Sequence, residues 1–210
     1  MKKLSLLLLL LATTACHKNT NDEITKYHED GRAKPIVAII PVIDSTTYEG
    51  LWSLSDEFTT TISNQVAQTN NIYLQSMEYL KSITNNDNPF QEDLSWVKET
   101  YTSNEFVAFV ELVEHENVPT TKNVAKSSSN LNMAIRIRII DLRNIQPKVI
   151  LQEYVSDSYY ISKNIIPTDY KTSGWGTNDY NLSPMGIAHN QLAKKVAQRI
   201  SDYILLAKSR

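Results

Sequence analysis

Apolar and polar positions alternate most regularly in the second half of the chain. From Leu131 to Ile139 every second residue is aliphatic or Met, which is the period of a β-strand with one buried face. Residues 149–160 predict a second long strand, and the turn at 141–147 joins the two into a β-hairpin. Near-continuous apolar runs at 36–42 and 106–113 predict strands that are covered on both faces.

Two segments show the spacing of an amphipathic helix. Residues 54–68 place apolar side chains on one face, and Ser53 directly before them is a capping residue. Residues 184–207 repeat this spacing after Ser183, and the proline that opens them suits a first helical turn. Three shorter elements complete the prediction, a strand at 72–74 and helices at 76–83 and 90–100.

These elements follow one another as β-α-β-α-α-β-β-β-α, which predicts an α/β fold, a mixed β-sheet with helices packed on it. Residues 35–210 are predicted to form a single domain of this kind. Residues 17–34 are polar and poor in apolar side chains, so we expect a flexible tether there. The polar segment 114–130 is predicted to be a mobile loop, and 161–183 shows no clear periodicity.

The first sixteen residues have the layout of a secretory signal. Lysines at positions 2–3 precede an apolar run at 4–12, small residues occupy 13–15, and Cys16, the one cysteine of the chain, follows. The apolar run is shorter than the roughly 20 residues that a membrane-spanning helix needs. We therefore expect export from the cytoplasm rather than a mature membrane helix.

This layout resembles a bacterial lipoprotein signal, which implies removal of residues 1–15 and a lipid on Cys16 as the mature N-terminus. In enteric lipoproteins an Asp after the cysteine favours the inner membrane. His17 at that position therefore implies, by resemblance, an anchor in the outer membrane with the domain on its periplasmic face. The alternative is ordinary secretion, with cleavage near Ala15 and a free thiol at the new terminus.

Composition narrows the classes of partner. The chain has a formal net charge of −2, and the predicted signal removes lysines but no acids, so the mature protein is more acidic. Nucleic-acid surfaces are usually strongly basic, so we expect no nucleic-acid partner. If Cys16 carries lipid, no thiol remains for a disulfide, and the domain depends on packing alone.

The order of elements, together with particular residues, resembles a group of envelope proteins. These are the curli-export lipoprotein CsgG, the N-terminal domain of TolB and the LpoB-type activators of peptidoglycan synthases. The likeness lies in the hydrophobic strand at 37–42, the helix opening at 54–57 (LSDE), the short strand at 72–74, and the strands at 137–141 and 149–155. The chain also resembles uncharacterised lipoproteins of chlamydiae.

The resemblance implies a non-enzymatic binding or accessory module, anchored in the membrane by lipid, for another envelope protein. The resemblance alternatively implies that the protein is a subunit of a CsgG-like oligomeric export assembly. A homo-oligomer is compatible with either role. We find no extra pair of long alternating strands that would serve as a pore-forming insert. This favours the binding module.

No residue pattern predicts catalysis. None of the four histidines has a His or Cys partner at metal-ligand spacing, and His115, between two glutamates, is interpreted as part of a solvated loop. Residues 127–129 are a serine run without a nucleophile elbow. Glu57 is interpreted as a first-turn carboxylate that favours the helix dipole. We expect no enzymatic activity, no metal and no cofactor beyond the lipid on Cys16.

Aromatic residues toward the C-terminus are the best candidates for binding a partner, because Tyr and Trp are common interface anchors. Trp175 would also suit the stacking platform of a carbohydrate-binding module or an envelope hydrolase, which is the third hypothesis. The alternative is that the loop folds back and these rings cap the core. The candidates are Tyr159, Tyr160, Tyr170, Trp175 and Tyr180.

Arg136 and Arg138 share one face of the predicted strand that contains them. They are candidates for an anion-binding stripe that contacts lipid headgroups or the acidic groups of a partner. The alternative is a solvated sheet face on which these arginines pair with cross-strand residues such as Glu153.

Overall fold

The structure, a computed structural model, describes residues 26–76, 88–120, 128–162 and 171–210. The predicted signal with Cys16 lies outside these ranges, and so does most of the helix predicted at 76–83. The predicted fold class is confirmed, since helices pack on one mixed β-sheet.

Six strands form this sheet. Their bounds are Ile36–Ile39 (β1), Ile43–Asp44 (β2), Tyr73–Leu74 (β3), Phe106–Pro119 (β4), Ser129–Asp141 (β5) and Lys148–Ile161 (β6). The order across the sheet is β3-β1-β4-β5-β6, and β2 pairs with β4. Strand β1 pairs in parallel with β3 and β4, and β2 pairs in parallel with β4. Strands β4, β5 and β6 form an antiparallel meander. The predicted hairpin of two long strands is thus confirmed.

Among the described residues there are four helices, α1 (Leu54–Gln68), α2 (Ser95–Thr100), α3 (Asn178–Leu182) and α4 (Pro184–Lys208). Both predicted caps are confirmed. The hydroxyl of Ser53 accepts a hydrogen bond from the Asp56 amide, and that of Ser183 accepts one from the Gly186 amide, each at 3.1 Å. None of these described helices has the length and apolar character needed to cross a membrane.

The two faces of the sheet are covered to different extents. Helices α1 and α4 cover one face, where Phe58, Ile62 and Leu192 belong to the larger hydrophobic core. Helix α2 covers part of the opposite face, and its Val97 packs in a smaller core with Phe109. We call the remainder of that second face, toward the far ends of β4, β5 and β6, the open face.

A β-bulge in β4 decides which side chains reach the larger core. The register shifts between Leu112 and Glu114, so that His115 lies opposite Met133, which is buried in that core. Directly opposed residues share a face. The prediction of a loop from residue 114 is therefore wrong, because residues 114–119 continue β4 and pair with β5.

The helix predicted at 90–100 begins later, at Ser95. Side chains explain the delay, since the Asn88 side-chain oxygen Oδ1 accepts from the Phe90 amide and the Asp93 carboxylate accepts from the Ser95 amide. Such local bonds stabilise turns in place of a helix. The segment at 161–183, which shows no clear periodicity, contains the short helix α3.

Part of the predicted tether contacts the domain. Tyr27 and Ala33 form an isolated antiparallel bridge. Lys34 is 2% exposed, and its ammonium group donates to the Asn70 side-chain oxygen at 2.6 Å. The ordered contacts therefore begin before the predicted domain boundary at Pro35.

Candidate functional site

One face of β6 presents an unbroken row of exposed polar and aromatic side chains to solvent. Side chains alternate along a strand, so every second residue shares this face. Tyr154 and Tyr160, at the two ends of its aromatic part, are 64% and 65% exposed. The exposed row is Gln152, Tyr154, Ser156, Ser158 and Tyr160.

The row continues across the sheet onto β5 and β4. Ser158 lies opposite Asn132, which lies opposite Glu116. The Ser158 hydroxyl donates to the Asn132 side-chain oxygen at 2.7 Å, and the Tyr160 hydroxyl donates to the Ser128 hydroxyl at 2.8 Å. These bonds hold the row in place while the tyrosine rings remain accessible.

The open face is acidic. Arg136 donates to the Glu111 carboxylate at 2.6 Å and lies 3.8 Å from the centroid of the Phe90 ring, so its charge is already neutralised. Glu114 and Glu116 form no ion pair with any residue in the described ranges. Uncompensated carboxylates repel anions, so this face disfavours phosphate-rich ligands.

The predicted arginine stripe does not form. Arg138 is 7% exposed, and its guanidinium donates to the backbone carbonyl oxygen of Pro89 at 2.9 Å. The burial of Arg138 lowers the pKa of its guanidinium, and the charge of Arg136 adds to this effect. The alternative of cross-strand pairing holds for Arg136, whose partner is Glu111 on β4. Glu153, the partner named as an example, lies near Arg199 instead.

The structure places the predicted aromatic candidates in different surroundings. Tyr160 is exposed on the open face, whereas Tyr159 points to the opposite face and donates to the Asp157 carboxylate at 2.7 Å. Trp175 is half-buried, and Tyr170 lies outside the described residues. Tyr180 is 2% exposed, so in this structure it is a core residue rather than a surface contact.

Tyr180 belongs to a buried polar network that the sequence interpretation missed. Glu57 is 3% exposed, and one of its carboxylate oxygens accepts from the Tyr180 hydroxyl at 2.7 Å and from His189 Nδ1 at 2.9 Å. Its other oxygen accepts from Trp52 Nε1 at 2.7 Å. Three donors thus surround one carboxylate, which links α1, α3, α4 and the loop before α1.

His115 extends this network toward the surface. Its Nε2 atom lies 2.9 Å from Nε2 of His189, and its ring meets Tyr48 edge-on with centroids 4.7 Å apart. Because His189 Nδ1 faces the Glu57 carboxylate, its Nε2 accepts the proton of His115 when both rings are neutral. The solvated loop predicted for His115 is therefore wrong, since the ring lies on β4 between α4 and Tyr48.

The pKa values of Glu57 and His115 are both lowered, but for different reasons. Burial by itself raises the pKa of Glu57, but the hydrogen bonds from His189, Tyr180 and Trp52 outweigh it and hold this pKa below its usual value. Burial, followed by the proximity of His189, lowers the pKa of His115 to about 4. At neutral pH the carboxylate is therefore charged and His115 is neutral.

The network is best explained as a structural link. Both carboxylate oxygens of Glu57 have partners, and the donors around it come from separate elements. No group of three or more His, Cys, Asp or Glu residues in the described ranges is arranged to hold a metal ion. Its chemistry is that of a buried carboxylate that fixes the tautomer of His189 and orders its neighbours.

A sequence signal for part of this network does exist. Glu57 lies three residues after Leu54 and next to Phe58, and His189 lies three residues before Leu192. Helical spacing therefore places both ionisable residues on apolar stripes. A charged residue on a buried stripe requires a hydrogen-bonding or charged partner. This requirement could have indicated that Glu57 and His189 are partners.

A comparison with protein families matches residues 23–208 to a family of unknown function, DUF7499. The chain belongs to this family. The matched segment begins close to the first described residue and includes every described strand and helix. A comparison with curated proteins finds no match.

A comparison with solved structures gives several similar chains. The hypothetical protein CT253 from Chlamydia trachomatis is similar, with a TM-score of 0.67 and 24% identity over 82% of this chain and 98% of that one. Lipoprotein GNA1162 from Neisseria meningitidis gives a TM-score of 0.42 and 11% identity, with 80% and 99% covered. A PelC dodecamer from Paraburkholderia phytofirmans gives 0.43 and 10%, with 81% and 87% covered.

The likeness to CT253 shows a shared fold and no more. It supports the predicted resemblance to chlamydial proteins at that level. The more specific likeness to CsgG, TolB and the LpoB-type activators stays a prediction.

Proposed function

We propose that this protein is a lipid-anchored lipoprotein of the outer membrane, facing the periplasm, that acts as a non-enzymatic binding module for another envelope component. The N-terminal pattern that ends at Cys16 supports the anchor. The described domain begins soon afterwards, at residue 26, so a short tether connects the two. In this arrangement the domain stays close to the membrane surface and meets partners there.

The open face is the observation that carries the binding function. Two tyrosines with large exposed fractions flank two serines on a strand whose backbone is held by β5. Rigid aromatic rings provide contact area at low entropic cost, and small hydroxyl side chains adapt their hydrogen bonds to a partner. The acidic surroundings at Glu114 and Glu116 favour a neutral or basic partner surface.

The replacement Cys16→Ser tests the anchor. We expect the variant to lose the labelled fatty acid and to move from the membrane fraction to the soluble fraction of the envelope, because one thiol carries the whole attachment. Labelled fatty acid in growing cells, followed by fractionation, measures both effects. A variant that remains in the membrane fraction would contradict the proposal, and Ser209→Ala at the far terminus is the matched control.

A photoreactive amino acid in place of Tyr154 tests the binding face in living cells. We expect a discrete cross-linked product with another envelope protein, because Tyr154 projects from the open face. The matched control carries the same group at Ile187, which is 44% exposed on α4. Equal products from both positions, or none from Tyr154, would contradict a role for this face.

A CsgG-like export assembly is the second candidate. One observation favours this candidate: in the described part of the chain, β6 pairs with β5 on one side only, so its outer edge is available to another subunit. An export ring needs a head-to-tail contact that repeats around the ring. The native mass of the full-length protein in mild detergent distinguishes a ring of many copies from smaller species.

A further inference from the structure

Strand β6 is a long strand at the edge of the sheet. It pairs with β5 along one side, and no described residue pairs with its other side. A register shift near Ile150 interrupts its start, after which Leu151–Ile161 pairs regularly with β5. Folded proteins usually protect such edges with proline, lysine, bulges or a covering element. The regular stretch contains no proline, lysine or glycine.

The opposite edge of the sheet differs. It is formed by β3, which has two residues, Tyr73–Leu74. So short an edge offers few backbone groups to another chain. Strand β6 is therefore the edge at which a further strand can add over many residues.

The side chains of β6 that face α4 repeat symmetrically about Val155. Moving outward from it, the next residues on this face are acidic on both sides, Glu153 and Asp157, and the following ones are apolar, Leu151 and Tyr159. An antiparallel copy of the strand, turned about a two-fold axis at Val155, therefore places apolar residues opposite apolar residues. Val155 then meets itself on the axis.

The acidic positions do not oppose such pairing. Arg199 lies 3.3 Å from the Glu153 carboxylate, and Lys195 pairs with Asp157, so α4 supplies a cation to each acid. In the antiparallel arrangement Glu153 of one copy lies opposite Asp157 of the other. The two opposed carboxylates then each keep the cation that α4 supplies within their own copy.

The open face fits the same symmetry. Tyr154 of one copy lies opposite Ser156 of the other, and Gln152 lies opposite Ser158. At the centre of the contact a large ring therefore faces a small hydroxyl side chain, so the two Tyr154 rings do not collide. The two open faces join into one continuous surface.

We propose that β6 pairs with β6 of a second copy of this chain in an antiparallel, two-fold symmetric contact that makes one sheet from two domains. The occupant of the edge is therefore the protein itself. Such a contact uses the same surface on both copies and closes at two, which separates it from a ring assembly. This inference stands independently of the proposed binding function.

Single cysteines along β6 test the pairing, because a residue cross-links with its own copy only when it lies at the two-fold axis. Val155→Cys, Ser156→Cys and Asp157→Cys are made separately in the full chain, kept in mild detergent, and oxidised. Opposed residues of antiparallel strands have Cα atoms roughly 4.5–5.5 Å apart, within the range of a disulfide. We expect a reducible dimer to form at Val155→Cys about a hundredfold faster than at a control, since pairing raises the local thiol concentration to the mM range. Ser156→Cys and Asp157→Cys lie off the axis and should cross-link more slowly than Val155→Cys.

The control is Glu99→Cys on the exposed surface of α2, and the unaltered chain reports any contribution of Cys16. The native mass of the unaltered protein is measured in parallel. A rapid cross-link at Val155→Cys together with the mass of two copies supports the pairing. The proposal is overturned if Val155→Cys reacts no faster than the control, or if one of the other two positions reacts faster than Val155→Cys. A single-copy mass, a larger ring or a cross-link to a different protein would also overturn it.

Discussion

Replacing Glu57 with Gln should lower the free energy of unfolding by about 3 kcal/mol, the magnitude expected when a buried carboxylate is removed and its hydrogen-bond donors are left without a charged acceptor. The carboxylate is 3% exposed and accepts hydrogen bonds from Tyr180, His189 and Trp52. An amide can accept at its oxygen but presents N–H groups on its other side, so at least one buried donor loses its acceptor. Urea unfolding, followed by fluorescence, measures the change.

Asp56→Asn is the matched control for this variant. Asp56 neighbours Glu57 in the first turn of α1, but its side chain is exposed, so we expect a loss below about 1 kcal/mol, from the helix dipole alone. Similar losses of unfolding free energy in the two variants would mean that the buried network around Glu57 contributes no more to stability than an exposed carboxylate does. The interpretation of the network as a structural link would then be wrong.

The sequence predicts elements well where the signal is local. The first long helix has the predicted bounds because its cap and its apolar spacing lie within one segment, Ser53–Gln68. The alternation from Leu131 onward likewise identifies β5, since a period of two needs no knowledge of the partner strand. Both signals come from chain neighbours, so no tertiary information is required.

The failures depend on contacts between distant parts of the chain. In the sequence His115 looks solvated, because it stands between two glutamates. The β-bulge between Leu112 and Glu114 turns its ring toward the core instead. Arg138 looks exposed by alternation, but the segment at Pro89 covers it. Neither the bulge nor the covering segment leaves a periodic trace in the sequence, so both placements require the tertiary structure.

The open face and the edge of β6 have a common origin. The antiparallel strands β4, β5 and β6 have 14, 13 and 14 residues, whereas β1 has four, so the meander extends far beyond the parallel part of the sheet. Helix α2 covers only the part near β1. Among the described residues the extension therefore leaves one face and one edge uncovered. The two proposals assign a different partner to each.

Acidification from pH 7 toward pH 4 should lower the free energy of unfolding by about 2 kcal/mol through His115 alone. The pKa of His115 falls from an ordinary value of 6.5 to about 4 in the folded protein, chiefly because of burial. In the unfolded chain His115 therefore binds its proton near its ordinary pKa of 6.5, whereas in the folded chain it binds the proton only near a pKa of about 4. Stability is full above the ordinary value and declines as the pH falls through this window. The full shift would give a larger loss, but the ring is partly exposed, which reduces it.

The measurement is urea unfolding at several pH values for the unaltered chain, for His115→Gln and for His28→Gln. The first variant removes the titrating ring, so its stability should change much less between pH 6.5 and pH 4.5. The second removes a histidine in the turn before β1, away from His189 and Tyr48, and is the matched control. Glu57 adds its own loss only at lower pH, because its pKa is held below the usual range of a carboxylate. If His115→Gln retains the full slope above pH 5, another group is responsible, and His115 is not the residue through which acid loosens the contact between β4 and α4.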